Sequence, residues 1–543
     1  TFTDRCYFKL IDGRLFVLSE EDVRQVVEKI RQEQRQELIM DGLAQWLECR
    51  LKGAAVPENE FISKREIDRL IDALEVDAAG AQEKPDRQWL KNVLGRVDKS
   101  LQSVSYEILV KIGHFSPNEN LYITRFRYPR TFAPETLDEL RELTASNLGN
   151  ESNRRDLTYL DCFTVDGATT TDMDDALSYE PLNDGGFILG IHITDVSAWI
   201  QPGTFLDGEA LDRGLTLYLP DKTWHMFPSE FSELTASLQE SITLPAISTL
   251  VRVSSSLRIE SSEIVCSTIK VKQRLTYDDV HMKTAPNIFN LLVDFASRLR
   301  SRRVDNGAVL MPRPEISIDA TNSPRLLLKK RLRQARSQLI VSEFMILANQ
   351  LAAGLAAEAG LPFPFRAQKK PDEAVPSSDQ FNPYVSYCQR RMMPRAYNSL
   401  KAKSHYSLGL SSYTNVTSPL RRYFDVIAQR QLKAIIADDE PYSLEELETV
   451  MADLEVSTSR SGSIIFHSNK FWMLKYLTAF KGKTLDAIVL DKFASRYQIW
   501  LDSFYMDADL PLSFGKKLVP EQKIQVIVEK VSPRDEKLQL RLL

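Results

Sequence analysis

The spacing of apolar residues changes three times along this chain of 543 residues, and that change constrains the fold most. Apolar positions recur at helical spacing in residues 1–150, for example at Val23, Val26 and Ile30. Short strand-like segments dominate from there to about residue 280, and helical spacing returns over 287–360 and 420–477. Since the last 65 residues alternate again, the pattern predicts several domains rather than one core.

The pattern predicts a multidomain α+β protein with three parts. Residues 1–155 are predicted to be a mainly helical module of helix-turn-helix or winged-helix-like type, in which Ser63 and Glu66 form a capping box. Residues 156–478 form a central mixed α/β domain, and 479–543 form a small OB-fold β-barrel. The polar segment Asn147–Arg155 is the predicted boundary. Whether the helical module binds nucleic acid or serves as a helical cap stays open.

Composition excludes several classes of protein. The net charge is −5, so any site for a polyanion must be a local basic surface. No segment reaches the roughly 18 uninterrupted apolar residues of a membrane span, and Phe344–Ala359 is predicted to be a buried or amphipathic helix. The five cysteines form no Cys-x-x-Cys pair, which favours a reducing compartment. We therefore expect a monomer in the cytoplasm or an organellar matrix, without membrane contact.

Four aspartates, Asp166, Asp172, Asp174 and Asp175, lie within ten residues between two strand-like runs. Carboxylates crowded in this way repel each other unless a cation or bound protons relieve the repulsion. Because the flanking runs are predicted strands, the cluster is placed at a strand end, where a divalent metal site for phosphate chemistry could form. The alternative is a solvated acidic turn, which is the commoner fate of such a string.

The residue types in and around the aspartate cluster limit which metal ion could bind there. An EF-hand is excluded because the loop lacks its sixth-position glycine and has Asn183 at the twelfth position. Zinc is disfavoured, since the nearest histidine, His192, lies within a predicted strand. Carboxylate oxygens suit magnesium, with manganese as a substitute.

A second motif is the segment Thr417-Ser-Pro-Leu-Arg-Arg-Tyr423. We predict that Pro419 occupies the first turn of a helix and that Arg421 and Arg422 follow it. A helix N-terminus beside two guanidinium groups would form an anion site. The alternative is a capped helix with a solvated basic face.

Together these motifs resemble the ribonuclease II/ribonuclease R (RNB-domain) family of exoribonucleases. The aspartates stand at offsets 0, 6, 8 and 9, and Tyr218-Leu-Pro220, His405–Leu410 and Thr417–Tyr423 follow in order. The resemblance covers residues 156–477 and makes 479–543 similar to the family's RNA-binding OB-fold. It implies processive degradation of single-stranded RNA from the 3′ end to 5′-mononucleotides, with magnesium.

The resemblance also implies roles for individual residues. Asp166, Asp172, Asp174 and Asp175 would hold the metals, with Asp174 most critical for chemistry. Arg421 would contact the scissile phosphate, and Arg422 would contribute to RNA binding. Tyr218 would stack on the terminal base, and Phe365 is a second, weaker candidate for stacking. Of two basic clusters, one at 329–336 and one at 390–403, the second is the preferred lining of an RNA channel.

The chain departs from the family in three places. Family members commonly carry a glutamate before the aromatic pair that corresponds to Phe471-Trp472, whereas this chain has Ile465-Phe466-His467 there. A histidine often follows the arginine motif, and here the residue is Gln429. Residues 1–155 do not resemble paired cold-shock domains. The rival hypothesis is therefore a catalytically weak or inactive RNA-binding regulator; a phosphohydrolase for small nucleotides is disfavoured by the terminal barrel.

Overall fold

A computed structural model of the protein describes residues 7–11, 14–80, 86–145, 153–281, 288–321, 326–331, 336–437, 439–512 and 517–543. It divides into two compact units, Thr1–Arg130 and Thr131–Leu543. Most of the predicted boundary segment, residues 147–152, lies outside the described residues, as does Arg333 of the first basic cluster. The domain boundaries predicted after residues 155 and 478 stay predictions.

The described helices, in chain order, are α1 Glu20–Leu51, α2 Lys64–Ala79, α3 Arg87–Leu94, α4 Ser105–Lys111, α5 Leu121–Arg125, α6 Pro134–Ala145, α7 Phe205–Arg213, α8 Tyr277–His281, α9 Ile288–Asp305, α10 Arg336–Ala359, α11 Pro383–Met392, α12 Tyr423–Ala437 and α13 Leu444–Leu477. The described strands are β1 Phe8–Ile11, β2 Arg14–Val17, β3 Arg155–Asp156, β4 Cys162–Asp166, β5 Asp175–Pro181, β6 Phe187–Thr194, β7 Leu217–Tyr218, β8 Thr223–Trp224, β9 Thr243–Val253, β10 Ile259–Thr276, β11 Glu315–Asp319, β12 Leu327–Arg331, β13 Phe365–Ala367, β14 Tyr397–Ser399, β15 Thr484–Lys492, β16 Arg496–Leu501, β17 Met506–Pro511, β18 Lys523–Ser532 and β19 Lys537–Leu542.

The unit Thr1–Arg130 is mainly helical, which confirms the prediction for the N-terminal module. Its core is formed by apolar residues that recur at helical spacing, including Leu43, Leu47, Leu70 and Leu74. Helix α2 begins where the sequence places it, because Ser63 and Glu66 form the predicted capping box.

The sheet that carries the aspartates has six strands in the order β3-β10-β4-β5-β6-β9, and β10 also pairs with β9. Strand β4 ends at Asp166 and β5 begins at Asp175, so both lie at the same edge of the sheet, with a loop between them. Strand β6 is buried along most of its length, with Leu189 and Ile191 in the core, and pairs with β5 and β9. The sheet is thus the rigid frame that was predicted for the carboxylates.

His192 lies in the buried centre of this sheet. Its Nδ1 is 2.6 Å from Ser248 Oγ and its Nε2 is 2.9 Å from Ser178 Oγ. Burial lowers the pKa of the imidazole to about 3. His192 is therefore a neutral core residue with two hydroxyl partners, which agrees with the prediction that it is not a zinc ligand.

Gly190→Ala is predicted to destabilise this sheet, because β6 has no room for a methyl group there. An added Cβ would overlap the side chains of Ser178 and His192. Overpacking of this kind costs about 1–3 kcal/mol, measurable as a lower midpoint of urea unfolding. Gly354→Ala in α10 is the matched control, since its Cβ meets nothing within 4 Å and the helix should gain up to ~1 kcal/mol. An unchanged midpoint for Gly190→Ala would contradict the packing around His192.

Helix α10 includes the apolar stretch 344–359. It has the length and composition of a membrane span, yet Phe344, Ala348 and Ala352 are buried in the cores of the sheet and of the helices beside it. The polar Asn349 of the same helix is also buried. In this fold α10 is a core helix, as its interrupting polar residues predict.

The C-terminal strands form an antiparallel sheet in the order β17-β16-β15-β18-β19. Its edge strands β17 and β19 approach each other, so the sheet is a nearly closed barrel, which confirms the OB-fold prediction. Leu474 and Leu477 of α13 lie in the barrel core. Helix α13 and the barrel therefore share apolar packing within the unit Thr131–Leu543.

Candidate active site

The loop between β4 and β5 is held in place by hydrogen bonds from outside it. Ser237 Oγ accepts a hydrogen bond from the Met173 amide at 3.0 Å and donates one to the Thr171 carbonyl at 2.8 Å. The Leu238 amide donates to the Met173 carbonyl at 3.0 Å, and Arg274 donates to the Thr170 carbonyl at 2.6 Å. Because these partners fix the backbone, the carboxylates do not belong to a solvated acidic turn.

Asp174 is the most buried member of the cluster, with only 4% of the residue exposed. Its Oδ1 accepts from the Leu420 amide at 2.9 Å and its Oδ2 from Arg421 Nε at 3.2 Å. Burial raises the pKa of this carboxyl to about 7, although Arg421 opposes the shift. A carboxylate held at this cost and aimed at a guanidinium is typical of a functional site.

Two neighbouring aspartates, Asp166 and Asp175, also have raised pKa values. Burial raises the pKa of Asp166 to about 6, with a smaller contribution from the charge of Asp172. Burial, followed by the charges of Asp166 and Asp174, raises the pKa of Asp175 well above its usual range. Asp172 accepts a hydrogen bond from the Tyr218 hydroxyl. The repulsion that was predicted from the sequence is therefore present, and a bound cation would relieve it.

The motif with the two arginines differs from the prediction. Helix α12 begins at Tyr423, so Ser418–Arg422 forms a tight turn before the helix, and Pro419 is not in its first turn. The turn is fixed by the buried carboxylate of Asp425, which accepts from the Ser418 amide and from Arg422, both at 2.8 Å. The prediction that Pro419 lies in the first turn of the helix was wrong, and the Ser418 amide, Arg421 and Arg422 contact the protein's own carboxylates, Asp174 and Asp425.

Arg421 nevertheless faces the cluster. Its Nη2 donates to Ser418 Oγ at 2.9 Å, and 42% of its side chain is exposed. Burial opposes its charge, but the carboxylate of Asp174 outweighs that effect and raises the pKa of Arg421. Nη1 makes no hydrogen bond within the described part of the chain. It is thus a donor available to a ligand.

A cavity of about 630 Å³ brings these residues together. The predicted site residues that line it are Asp166, Asp172, Asp174, Asp175, Tyr218, Arg421 and Arg422. Segments nearly 260 residues apart in the sequence therefore meet at one edge of the sheet. Tyr218, at the end of β7, is 48% exposed, so its ring is available for stacking.

Phe365 is the predicted site residue that the structure does not bring to the cavity. It is 1% exposed and lies in the core, with its ring centroid 5.3 Å from that of Phe363. A ring enclosed in this way cannot stack on a base. The surrounding Pro-Phe-Pro-Phe sequence is typical of core packing, which was the alternative for this residue.

The cavity also contains residues that the sequence analysis missed. Asn349 donates to the Tyr413 hydroxyl at 3.1 Å and accepts from the Val416 amide at 2.7 Å, which ties α10 to the arginine turn. His225 and Glu233 line the wall, with Nε2 and Oε1 3.5 Å apart. No family motif was matched to these residues, although the turn after Tyr218-Leu-Pro220 could have indicated His225.

The structure also shows the contacts of His467 and Gln429, the two residues at which the sequence departs from the family motifs. Helix α13 contributes no lining residue to the cavity in the described chain. His467, at the position of the missing glutamate, instead lies 2.5 Å from Glu536 of the barrel. Gln429 is buried and donates to the Thr194 carbonyl at 2.9 Å, so it braces β6 against α12.

The residues fit magnesium by their chemistry. No three His, Cys, Asp or Glu side chains in the described residues converge closely enough to enclose an ion. The donors are nevertheless carboxylate oxygens, which magnesium prefers. Burial raises the pKa values of Asp166, Asp174 and Asp175, and a bound cation would lower them. Asp166, Asp172, Asp174 and Asp175 are the residues that would hold the metal, which stays a prediction.

The metal-free protein is predicted to lose stability as the pH rises from about 6 to about 8. The pKa of Asp174 is about 7 in the folded protein and about 3.9 in an unfolded chain. At pH 6 the unfolded chain has already lost this proton while the folded state still holds it, so stability falls with rising pH until Asp174 ionises in the folded state, by roughly 1–2 kcal/mol over this window. Urea unfolding at the two pH values measures this effect. Asp174→Asn should reduce the pH dependence; an equal dependence in the variant would contradict the assignment.

The comparisons with known proteins agree with this geometry. The RNB domain model matches residues 154–375 and 373–438, more than half of the chain. A double HTH domain model matches residues 23–121. The chain therefore belongs to the RNB-domain family, the 3′-to-5′ exoribonucleases of the ribonuclease II and R type.

Three known proteins are similar to this chain over 78–98% of its length. The chain is 28% identical over 565 aligned residues to ribonuclease II, chloroplastic/mitochondrial, of Arabidopsis thaliana, covering 98% of this chain and 70% of the relative. An active-site mutant of the Dss1 exoribonuclease from Candida glabrata has a TM-score of 0.74 at 20% identity, over 97% of this chain and 73% of that one. The apo form of Mycoplasma genitalium RNase R has a TM-score of 0.68 at 18% identity, over 78% and 77% of the two chains. The solved structures support the fold.

Proposed function

We propose that this chain is an active, processive exoribonuclease that hydrolyses single-stranded RNA from its 3′ end to 5′-mononucleotides. The observation that carries the proposal is one cavity whose lining includes four aspartates, Tyr218 and two arginines. An inactive relative on the same scaffold would have no reason to keep buried carboxylates whose pKa values are raised by burial and mutual repulsion. Magnesium is the proposed cofactor, with manganese as a substitute.

The bound metal would supply an activated water and would neutralise charge that develops on the phosphate. The protein's own residues do the rest. The loop between β4 and β5 fixes the carboxylates through Ser237 and Arg274, and Leu420 orients Asp174. Arg421 keeps one guanidinium nitrogen on Asp174 and has Nη1 available to a phosphate oxygen.

Tyr218 would bind the terminal nucleotide next to the aspartates. Its exposed ring would stack on the terminal base, and its hydroxyl is bonded to Asp172. Stacking suits an enzyme that accepts any sequence, because every base has a π-face. Buried Phe365 is not part of the proposed site.

Tyr218→Ala is predicted to weaken binding of a short oligo(A) by about 1–3 kcal/mol, the worth of one stacked base. Tyr218→Phe keeps the ring and loses the bond to Asp172, so binding should stay close to that of the wild type. Fluorescence anisotropy with a labelled oligonucleotide, in metal-free buffer, measures both. If the two variants lose equal affinity, the hydroxyl rather than the ring carries the interaction.

The second candidate function is an RNA-binding regulator with weak or no activity. It is favoured by one observation: α13 contributes no residue to the described cavity lining, at the place where the family carries a glutamate. Incubation with 5′-labelled oligo(A) and magnesium separates the two. Stepwise shortening of the label supports the enzyme, and retained binding without shortening supports the regulator.

We further propose a monomer that acts in the cytoplasm or an organellar matrix. The organellar name of the Arabidopsis relative is compatible with the second location. The free cysteines of the described chain are compatible with a reducing compartment.

A further inference from the structure

A second cavity, of about 340 Å³, lies where the catalytic part meets the barrel within the unit Thr131–Leu543. Its lining includes Arg313 from the segment before β11, Met473 from α13, Phe504 and Tyr505 from the connection between β16 and β17, and Met506 at the start of β17. It shares no lining residue with the cavity of the aspartates. Nothing in the proposed catalytic mechanism uses it.

Tyr505 gives this cavity an aromatic wall in a fixed orientation. The residue has a φ of 45°, in the left-handed region that a tyrosine rarely adopts. Its ring is stacked on that of buried Trp500, with centroids 5.9 Å apart and an interplanar angle of 29°. Lys330 Nζ lies 4.7 Å from the same ring centroid. Lys330 is exposed, and a long lysine side chain can move aside for a flat ligand.

The rim of the cavity carries surplus positive charge. Arg390 is committed to Asp507 through two hydrogen bonds, of 2.8 Å and 3.2 Å. Arg313 makes no hydrogen bond or ion pair within the described part of the chain. Burial, and then the charge of Arg390, lower the pKa of Arg313. An anion is the ligand that would complete this arrangement.

A role limited to joining the barrel to the catalytic part does not explain these groups. That junction already has the pairs Arg390–Asp507 and Arg391–Asp491 and the hydrogen bond from Tyr387 to Asp491 at 2.8 Å. Apolar packing of Leu474 and Leu477 in the barrel core adds to it. Arg313 adds no hydrogen bond or ion pair to this set in the described part of the chain, although the charge of Asp507 acts on it favourably.

We propose that this cavity is a second nucleotide-binding subsite for single-stranded RNA, in which a base stacks on Tyr505 and the adjoining phosphate binds Arg313 and Lys330. The combination of an aromatic platform and unpaired cations is the usual way to hold a single strand without reading its sequence. The inference rests on the proposed function, since it supposes that RNA is the ligand. It adds a defined contact on the barrel side, distant in sequence from the catalytic residues.

Arg313→Gln tests the subsite by its dependence on RNA length. Binding of 5′-labelled oligo(A) is measured by anisotropy in the Asp174→Asn background, which prevents degradation. The variant should bind short oligomers as its parent does and longer ones roughly tenfold more weakly, once the strand reaches the second cavity. The slope of log affinity against log salt should fall by about 0.7 for the longer oligomers, the value for one lost phosphate contact with a single strand.

Arg258→Gln is the matched control, because it removes the same charge from the turn between β9 and β10 and lines neither cavity. Equal affinities of Arg313→Gln and its parent at every length would overturn the subsite. So would a lower unfolding midpoint without a change in affinity, since that result assigns Arg313 to the junction.

Photo-crosslinking with RNA that contains 4-thiouridine gives an independent test in the unaltered site. Peptides that include Tyr505 or Met506 should be crosslinked by long RNA and not by short RNA. Absence of these crosslinks, with crosslinks at Tyr218 retained, contradicts the subsite while the proposed function stands. If the parent binds no RNA of any length, the proposed function fails first.

Discussion

Asp174→Asn is expected to reduce the rate of oligo(A) shortening by about 10³-fold or more while RNA affinity changes only a few-fold. Loss of one preorganised electrostatic group costs about 10²–10³ in rate, and Asp174 acts both as a metal donor and as the partner of Arg421. The metal-binding role of Asp174 is part of the proposal, whereas its contact with Arg421 is observed. Asparagine keeps the shape and can still accept from the Leu420 amide. The fold should therefore survive, and single-turnover cleavage with saturating enzyme measures the chemical step.

Asp161→Asn is the control for this substitution. Asp161 lies one residue before β4, pairs with Lys272 at 2.7 Å, and lines neither cavity. An exposed ion pair of this kind contributes about 0–1 kcal/mol, so the control should cleave at the rate of the wild type. A large loss of RNA affinity in Asp174→Asn would contradict the role in chemistry and assign the residue to substrate binding.

Arg421→Gln is expected to lower the single-turnover rate by about 10²–10³-fold, the usual effect of removing one donor to the transition state. Arg421→Lys should recover part of the rate, because lysine keeps the charge but cannot form two parallel hydrogen bonds to a phosphate. Arg421→Gln also leaves Asp174 without its counter-charge, so its carboxyl should hold a proton to higher pH. Raising the pH in the presence of magnesium should therefore restore more of the lost rate in Arg421→Gln than in Arg421→Lys.

Arg252→Gln is the matched control for Arg421. Arg252 forms surface ion pairs with Asp184 and Glu260, away from the cavity lining. Its loss should leave the rate unchanged. If Arg421→Gln also cleaves like the wild type, the guanidinium serves the fold alone, and the proposed contact with the phosphate is wrong.

Periodicity predicted most of the fold because the elements that it found are amphipathic or continuously apolar. The alternating strands β15, β16, β18 and β19 are examples. The start of α2 was predicted from its capping box. Strand β17, Met506–Pro511, was not predicted: its sequence Met-Asp-Ala-Asp-Leu-Pro has few apolar positions, and the pairing with β16 creates it. Helix α12 begins later than predicted, because the Ser418 amide donates a hydrogen bond to Asp425 and the preceding residues form a turn.

Part of the candidate site could also be predicted from the sequence. Its acidic motif is local in sequence, so spacing indicates it. Asn349 and His225 enter the cavity from helix α10 and from the turn after β8, and contacts of that kind depend on tertiary packing. The error with Phe365 has the same origin, since a sequence does not distinguish an aromatic ring in a core from one in a cleft.

The central claim is that this cavity hydrolyses RNA from the 3′ end with magnesium. The most direct measurement is mass spectrometry of the products formed from oligo(A) in water enriched in heavy oxygen. We expect the wild type with magnesium to release adenosine 5′-monophosphate that carries one heavy oxygen, and Asp174→Asn to release none. Bound RNA that yields no mononucleotide, or mononucleotide without the heavy oxygen, would contradict the central claim.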